Sequence, residues 1–492
     1  MLLLLLLLAW PARSAPSTAC AVCHREIYER YRNTPMALTS GIPAREDFTR
    51  ASFTHASSGY QYRIFRTAEG LSFEFNKPAA AVRGTRELPF FLGSGATARS
   101  YLIADDGYYF EAPVAFYAAA RKWDLSPGYD RYPSPFLTRA VLPACLNCHA
   151  TGIFLAPGAH NRYATPPFVE PGIGCTRCHG PGETHINTRK AGDIVNPARL
   201  SADRRDSICA QCHLSGSVRL FRAGASWDTY RPGGRLADSI AVFVPAAATA
   251  GITVTSHAEK LQQSACKQAA GDRLWCGTCH DPHGPRRDLR AVCSGCHECK
   301  QKQQDNCTGC HMPKSPVTDA QHVVYTDHSI PRRPRKPSAP QSSDLVPFRG
   351  YSTAPRDLAL AYAIAATRPG GAAGRPRAQS LLEQAVHDHP DDVEILVYLA
   401  EIYRNTGQPD QAVPLYERAL RLDPAQLTAS VGLGGIHMER REYADAIRLW
   451  EDALSRDAGL ILVRRNLAAA YLQIGDRRSA ERHLLRAAAL SQ

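Results

Sequence analysis

Beyond its first ten residues, this 492-residue chain has no apolar run long enough to cross a bilayer, which takes about 20 apolar residues. No integral membrane segment is therefore expected in the mature chain. A phosphate-cradling glycine loop is missing too. Gly93-Ser94-Gly95 is followed by no Lys-Ser/Thr pair and sits in no Rossmann-like spacing. Basic residues outnumber acidic ones, 58 to 46, yet they form no aromatic-interleaved stripe. Their one dense cluster, Arg332-Arg333-Pro334-Arg335-Lys336, lies in a Pro- and Ser-rich stretch. Nucleic acid is not an expected partner. Cysteine is absent from the last third of the chain, so whatever the 16 cysteines do is done before residue 311.

Of those cysteines, 14 fall into seven copies of C-x-x-C-H. They are Cys20-Ala-Val-Cys23-His24, Cys145-Leu-Asn-Cys148-His149, Cys175-Thr-Arg-Cys178-His179 and Cys209-Ala-Gln-Cys212-His213, then Cys276-Gly-Thr-Cys279-His280, Cys293-Ser-Gly-Cys296-His297 and Cys307-Thr-Gly-Cys310-His311. Two thiols three residues apart can add across the two vinyl groups of one haem, and the adjacent histidine then reaches the iron. C-x-x-C alone also serves zinc ribbons and redox sites, but a histidine after every second cysteine is not needed there. Seven covalently attached haems c are expected. Cys266 and Cys299 are left over, either as free thiols or as one disulfide. Cys296-His297-Glu-Cys299-Lys300 also spells C-x-x-C-K, a register that would leave Cys293 and His297 idle. An oxidised haem brings about one net negative charge, so seven would move the formal +12 to roughly +5.

Met1 is followed by seven leucines, Ala9 and Trp10, then Pro11-Ala-Arg-Ser-Ala15. A short apolar core followed by small residues reads as a secretory signal over 1–16, cleaved between Ala12 and Ala19. No basic residue precedes the leucines. The expected location is periplasmic or otherwise exported, where c-type haem is attached in bacteria.

Composition shifts near residue 330. Residues 17–335 form the expected seven-haem domain, 336–355 a Pro/Ser/basic linker, and 356–492 an Ala-, Leu- and Arg-rich segment repeating every 34 residues. Leu399-Ala400 and Tyr403 recur as Leu433-Gly434 and His437, then as Leu467-Ala468 and Tyr471. Ala412, Tyr416 and Ala419 recur as Ala446, Trp450 and Ala453, then as Ala480, Leu484 and Ala487. An earlier, less regular unit carries Ala378, Leu382 and Ala385 in phase, giving about four repeats. This resembles the tetratricopeptide repeat, in which small residues let paired helices approach and large ones fill the gaps. His437, His387, His389 and His483 read as packing or surface residues. Such stacks present a groove, so a redox partner protein is the expected ligand, with extension or dimerisation of the chain as the alternative.

Within the haem domain, about 50–125 lacks any haem motif. Tyr60–Phe65 and Leu71–Phe75 alternate with period two around Ala68-Glu69-Gly70, and a second hairpin is read at Ser100–Ile103 and Tyr108–Phe110. A small, aromatic-rich β insert is expected there. From Cys145 to His311, six motifs crowd together, leaving short helices and loops with porphyrin as much of the core. The fold class is thus mainly α: a haem-cored domain with a small β insert, then an α-solenoid.

Seven non-motif histidines precede the linker: His55, His160, His185, His257, His283, His322 and His328. One distal histidine per motif histidine is therefore available in number, and six-coordinate bis-histidine haem suits electron transfer. His283 and His185 stand closest to motifs. Met36 is a possible axial thioether for the first iron, or else a buried apolar side chain, and the first iron is the expected open one if any is open.

The stretches Cys178-His-Gly-Pro-Gly-Glu-Thr-His185, Cys276-Gly-Thr-Cys-His-Asp-Pro-His283-Gly and Cys307-Thr-Gly-Cys-His-Met-Pro-Lys314, followed by His322 and Thr326-Asp-His328-Ser-Ile330, resemble the multihaem cytochrome c superfamily. That group includes the tetrahaem carrier of ammonia oxidisers, hydroxylamine oxidoreductase and pentahaem nitrite reductase. More narrowly, the chain is similar to exported cytochromes with a C-terminal tetratricopeptide array. The resemblance implies electron transfer. It implies catalysis on a small nitrogen or sulfur compound only as an alternative, since carriers and enzymes share the superfamily. Reduction potentials, oligomeric state and the partner's identity are not legible in the sequence.

Overall fold

The computed structural model describes residues 15–43, 50–80, 82–247, 251–285, 287–296, 307–331 and 344–491. The leucine run, His297, Cys299, Lys300 and the basic cluster at 332–336 lie outside the described residues.

Period-two alternation builds the first half. Strands β1 (Ser40–Gly41), β2 (Ala51–His55), β3 (Tyr60–Arg66), β4 (Leu71–Lys77), β5 (Val82–Glu87), β6 (Phe90–Leu92), β7 (Ala98–Asp105), β8 (Tyr108–Tyr117), β9 (Lys122–Leu125) and β10 (Arg139–Ala140) form two antiparallel sheets. One has the order β2-β3-β4-β5. The other has the order β1-β6-β7-β8-β10, with β9 also on β8. In β3, Tyr60, Tyr62 and Ile64 point inward while Gln61 and Arg63 face water. The inward faces meet in an aromatic core that includes Phe73, Phe75, Tyr101, Trp123 and Tyr129. Both expected hairpins form, β3 with β4 and β7 with β8.

The β part is larger than the small insert expected. Strands β11 (Ala150–Leu155), β12 (Tyr163–Pro171), β13 (Val218–Phe221) and β14 (Ile240–Pro245) continue among the haem motifs, so residues 40–245 are mixed rather than mainly α. Two short strands, β15 (Lys314–Pro316) and β16 (Val324–Thr326), pair near the end of this region.

The 34-residue period becomes four antiparallel helix pairs: Pro355–Thr367 with Arg375–Asp388, Val393–Asn405 with Pro409–Leu422, Leu427–Glu439 with Tyr443–Arg456, and Ile461–Gln473 with Arg477–Ser491. The small-and-large pattern has a direct cause. A Cβ at Gly434 would stand 2.5 Å from the Trp450 indole nitrogen, which donates to Val431 O at 3.2 Å. Tyr416 and Trp450 are buried, whereas Leu484, one period later in the last helix, is exposed. His437 packs as expected, with Nδ1 2.5 Å from Glu442 Oε2.

The stretch read as a linker is partly structure. Strand β17 (Leu345–Pro347) adds to β14, and Phe348 and Tyr351 pack beside Leu214, Leu236 and Val242. The array is then held at both ends. At its start, Ala359, Leu360 and Ala363 bury against Val218, Leu220 and Phe243. Buried Arg356 there binds Asp392 at 2.7 Å, Asp357 at 2.9 Å and Phe221 O at 2.9 Å. At its end, Tyr108 donates to Ser455 O at 2.6 Å, Arg86 to Ala489 O at 2.9 Å, and Arg486 pairs with Asp105.

Candidate haem-binding site

Each described C-x-x-C-H motif lies on or beside a short helical segment, among them Ser17–Ala21, Pro143–His149, Thr176–His179, Ala202–His213, Cys276–Cys279 and Cys307–His311. One helical turn puts residues i, i+3 and i+4 on one side, so both thiols and the histidine address the same space.

Long-range packing brings motifs together. Ser17 Oγ accepts from Cys175 N at 3.0 Å, joining the first motif to the third. Tyr31 OH donates to Ile173 O, and Ile173 N donates to Met36 O at 3.0 Å. Gly172 has φ +71, and a Cβ there would collide with the carbonyl of Ala37. Thr39 Oγ1 donates to His149 O at 2.8 Å, which ties this segment to the second motif. Thiols of different motifs then lie close enough to act on each other's ionisation: Cys20 with Cys175, Cys148 with Cys212, and Cys209 with Cys276.

The histidines pair. The His24 and His185 ring centroids are 6.2 Å apart with planes 14° from parallel. His179 and His283 stand at 5.7 Å and 12°, and His280 and His328 at 6.2 Å and 23°. His213 and His257 stand at 5.1 Å and 82°, and His257 also lies 4.7 Å from His328. Two imidazoles on opposite faces of one metal, each bonded at about 2 Å, hold their centroids about 6 Å apart. The four facing pairs each join a motif histidine to a non-motif one.

Their second nitrogens are also arranged. Nδ1 lies 2.8 Å from Val195 O in His179, 2.8 Å from Lys190 O in His185, 2.9 Å from Thr326 O in His328 and 3.3 Å from Pro331 O in His311. A backbone carbonyl only accepts, so each Nδ1 carries the proton and each Nε2 keeps its lone pair. Burial, reinforced by His328 and His280, pushes His213 down to about 4; burial with His213 and His328 pushes His257 down to about 3. His149, His283 and His328 are lowered by burial as well. These imidazoles are neutral at pH 7, the form that ligates a metal. Nδ1 of His149 and of His257 is buried with no hydrogen-bond partner among the described residues.

Three histidines read as distal candidates stand elsewhere. His55 ends β2, its Nδ1 2.7 Å from Ser58 Oγ and its Nε2 2.8 Å from Ser57 Oγ, so both ring nitrogens are engaged. His322, at φ +57, puts Nε2 2.9 Å from Asp124 Oδ2 and its ring edge-on to Tyr117. His160 lies where the β11–β12 loop meets the repeats, its backbone N donating to Arg456 O at 3.1 Å. None of the three contacts a motif histidine among the described residues. His149 and His311 likewise face no second histidine ring among the described residues. At the first motif it is the His185 ring that faces His24.

Spacing alone did not single out several contributors. Tyr31 sets its ring at 70° to that of His283, and Tyr325 sets its ring edge-on to His257. Arg177 and Gln211, in the variable positions of motifs, bond across motif boundaries. A polar residue at those positions was the available signal.

A tetratricopeptide repeat family matches residues 370–492, and the family of cytochrome c554 and c-prime matches residues 132–180, which span the second and third motifs. No curated protein matches the chain. Among solved structures, "MamA MSR-1 C2" is 26% identical over 27% of this chain and 76% of its own, with a TM-score of 0.25. "MamA AMB-1 C2221" is 28% identical over 27% and 78%, also with a TM-score of 0.25. The helical C-terminal run is thus similar to tetratricopeptide repeats, a protein-interaction fold, and part of the motif region is similar to a c-type cytochrome.

Proposed function

We propose that this chain is an exported multihaem c-type cytochrome that carries electrons along closely packed, mostly bis-histidine haems, with its repeats docking a redox partner. The observation that carries the reading is the set of four facing imidazole pairs, together with the Nδ1–carbonyl bonds that leave Nε2 free on several of the same rings. The donor set fits haem c: paired thiols and a histidine on one turn, an opposed neutral imidazole, and orphaned imidazole nitrogens in the interior. Haem c, when bound, supplies a one-electron iron couple. The chain's own residues do the rest. Motif thiols fix each group covalently, backbone carbonyls lock ring orientation, and two histidine ligands keep the coordination the same in both oxidation states. The inter-motif thiol contacts support close spacing, which favours transfer by short hops. Export, and the full count of seven, rest on the leader-like N-terminus and the seven motifs.

A second reading, an oxidoreductase of a small nitrogen or sulfur compound, is favoured by one observation. His55, His160 and His322 are engaged elsewhere, so His149 and His311 lack an opposed histidine among the described residues. An open iron would then sit at one of these motifs rather than at the first.

Mass spectrometry and low-temperature EPR of the purified protein test both readings. Seven additions of roughly 0.6 kDa and only low-spin iron support the carrier. A high-spin ferric signal that shifts with added nitrite or hydroxylamine, and survives His55→Ala unchanged, supports the enzyme. Absence of haem mass at the motifs overturns both.

A further inference from the structure

The two residues between the cysteines of a C-x-x-C-H motif are free to vary, and three of them here join three motifs. Arg177, in the third motif, donates from Nη2 to the carbonyl of Asn147 in the second at 2.9 Å. Its own carbonyl accepts from Gln211 Nε2, in the fourth, at 3.0 Å. Gln211 is 4% exposed, and its carbonyl accepts from Arg219 Nη2 at 3.0 Å. The Arg177 guanidinium thus stands at a node, and its charge acts on the thiols of Cys148, Cys178 and Cys212, one from each motif. Its Nε is buried with no hydrogen-bond partner, and no carboxylate pairs with it among the described residues. A guanidinium keeps its charge at any working pH, and a half-buried charge without a counter-ion acts over several ångströms because little solvent screens it.

Resting on the haem reading above, we infer that Arg177 is a shared potential-setting residue, which raises together the reduction potentials of the irons attached at the second, third and fourth motifs. A fixed cation favours the state in which each nearby iron carries one positive charge fewer. Arg177 acts through space on all three, so the effect is collective rather than confined to one centre.

The test is a potentiometric titration, followed by visible absorption, of the exported full-length protein and of Arg177→Gln, Arg177→Lys and Asn147→Asp. Mass spectrometry gives the haem content of each. In Arg177→Gln the portion of the curve carried by three haems moves to lower potential, while Arg177→Lys stays near wild type. Asn147→Asp keeps the arginine but adds a carboxylate on the residue whose backbone carbonyl accepts from it, and shifts the same portion downward, which decides the matter if Arg177→Gln fails to retain haem. An unmoved curve in fully loaded Arg177→Gln or Asn147→Asp overturns the inference. So does a shift in Arg177→Lys as large as in Arg177→Gln, which would make the hydrogen-bonded staple, not the charge, responsible. Missing haem in the wild-type protein would instead overturn the haem reading itself.

Discussion

The repeat array and the motif region solve the problem of an interior in opposite ways. In the array each helix pair buries small residues opposite large ones, such as Gly434 against Trp450, and side chains alone complete the core. In the motif region imidazoles face one another, and none of the described motif thiols or histidines is fully covered by protein. Buried polar atoms without partners gather there: Nδ1 of His149 and His257, Nε of Arg177, Oε1 of Gln211, Oε2 of Glu259. Within the array His483 Nδ1 is the one such atom among the described residues. Native interiors leave few polar atoms unsatisfied, and the proposed haems would supply such contacts here. One region completes its core with side chains; the other, on the function proposed above, completes it with bound haem.

The sharpest way to break this contrast is to withhold haem. Protein made without haem attachment is expected to lose amide protection across residues 143–331 while 355–491 keep theirs, as read by hydrogen exchange. Equal protection in both regions would mean that the motif region also folds on side chains alone. The next effect is local to the array. Trp450→Ala should cost about 3–5 kcal/mol by leaving a cavity beside Gly434, visible in the denaturation midpoint of the repeats. The haem spectrum should stay the same, since the damage lies in a core that side chains complete.

The smallest effect concerns acid. Burial holds His483 below the usual histidine range, with Glu451 3.0 Å from its Nε2, Tyr471 alongside, and Arg482 and Arg464 nearby. Its folded form resists protonation, so the unfolded chain takes up the proton first as pH falls through about 6.5. This contribution is full above that pH and is lost progressively below it. Denaturation midpoints of the array at pH 7.5 and 5.5 should therefore differ more in the wild-type protein than in His483→Gln.

Legibility followed the range of the interaction. The helix pairs were readable because Tyr416, Trp450 and Ala446 recur with a local period and pack against the neighbouring repeat. The hairpins at Tyr60–Lys77 and Ala98–Tyr117 were readable from alternation. The extent of the β part was not, because strands such as β11 and β13 are short and lie between motifs that suggested loops. The tail of the linker was misread because Pro and Ser dominate its composition, while Leu345, Phe348 and Tyr351 find partners contributed by distant strands.

What the sequence determined by itself was the chemistry that one helical turn or one repeat can hold. Seven C-x-x-C-H sets place thiols and imidazole together without help, and 34-residue periodicity suffices for the solenoid. Only the tertiary structure decided which of seven spare histidines meet a motif histidine. His283 and His185 stood closest to motifs, but His322 was locally no different from His257 and His328. What separates them is the neighbour each meets: nearby Ser57 and Ser58 for the His55 ring, distant Asp124 for the His322 ring, the repeat array for the backbone of His160, and an opposed imidazole for the other four.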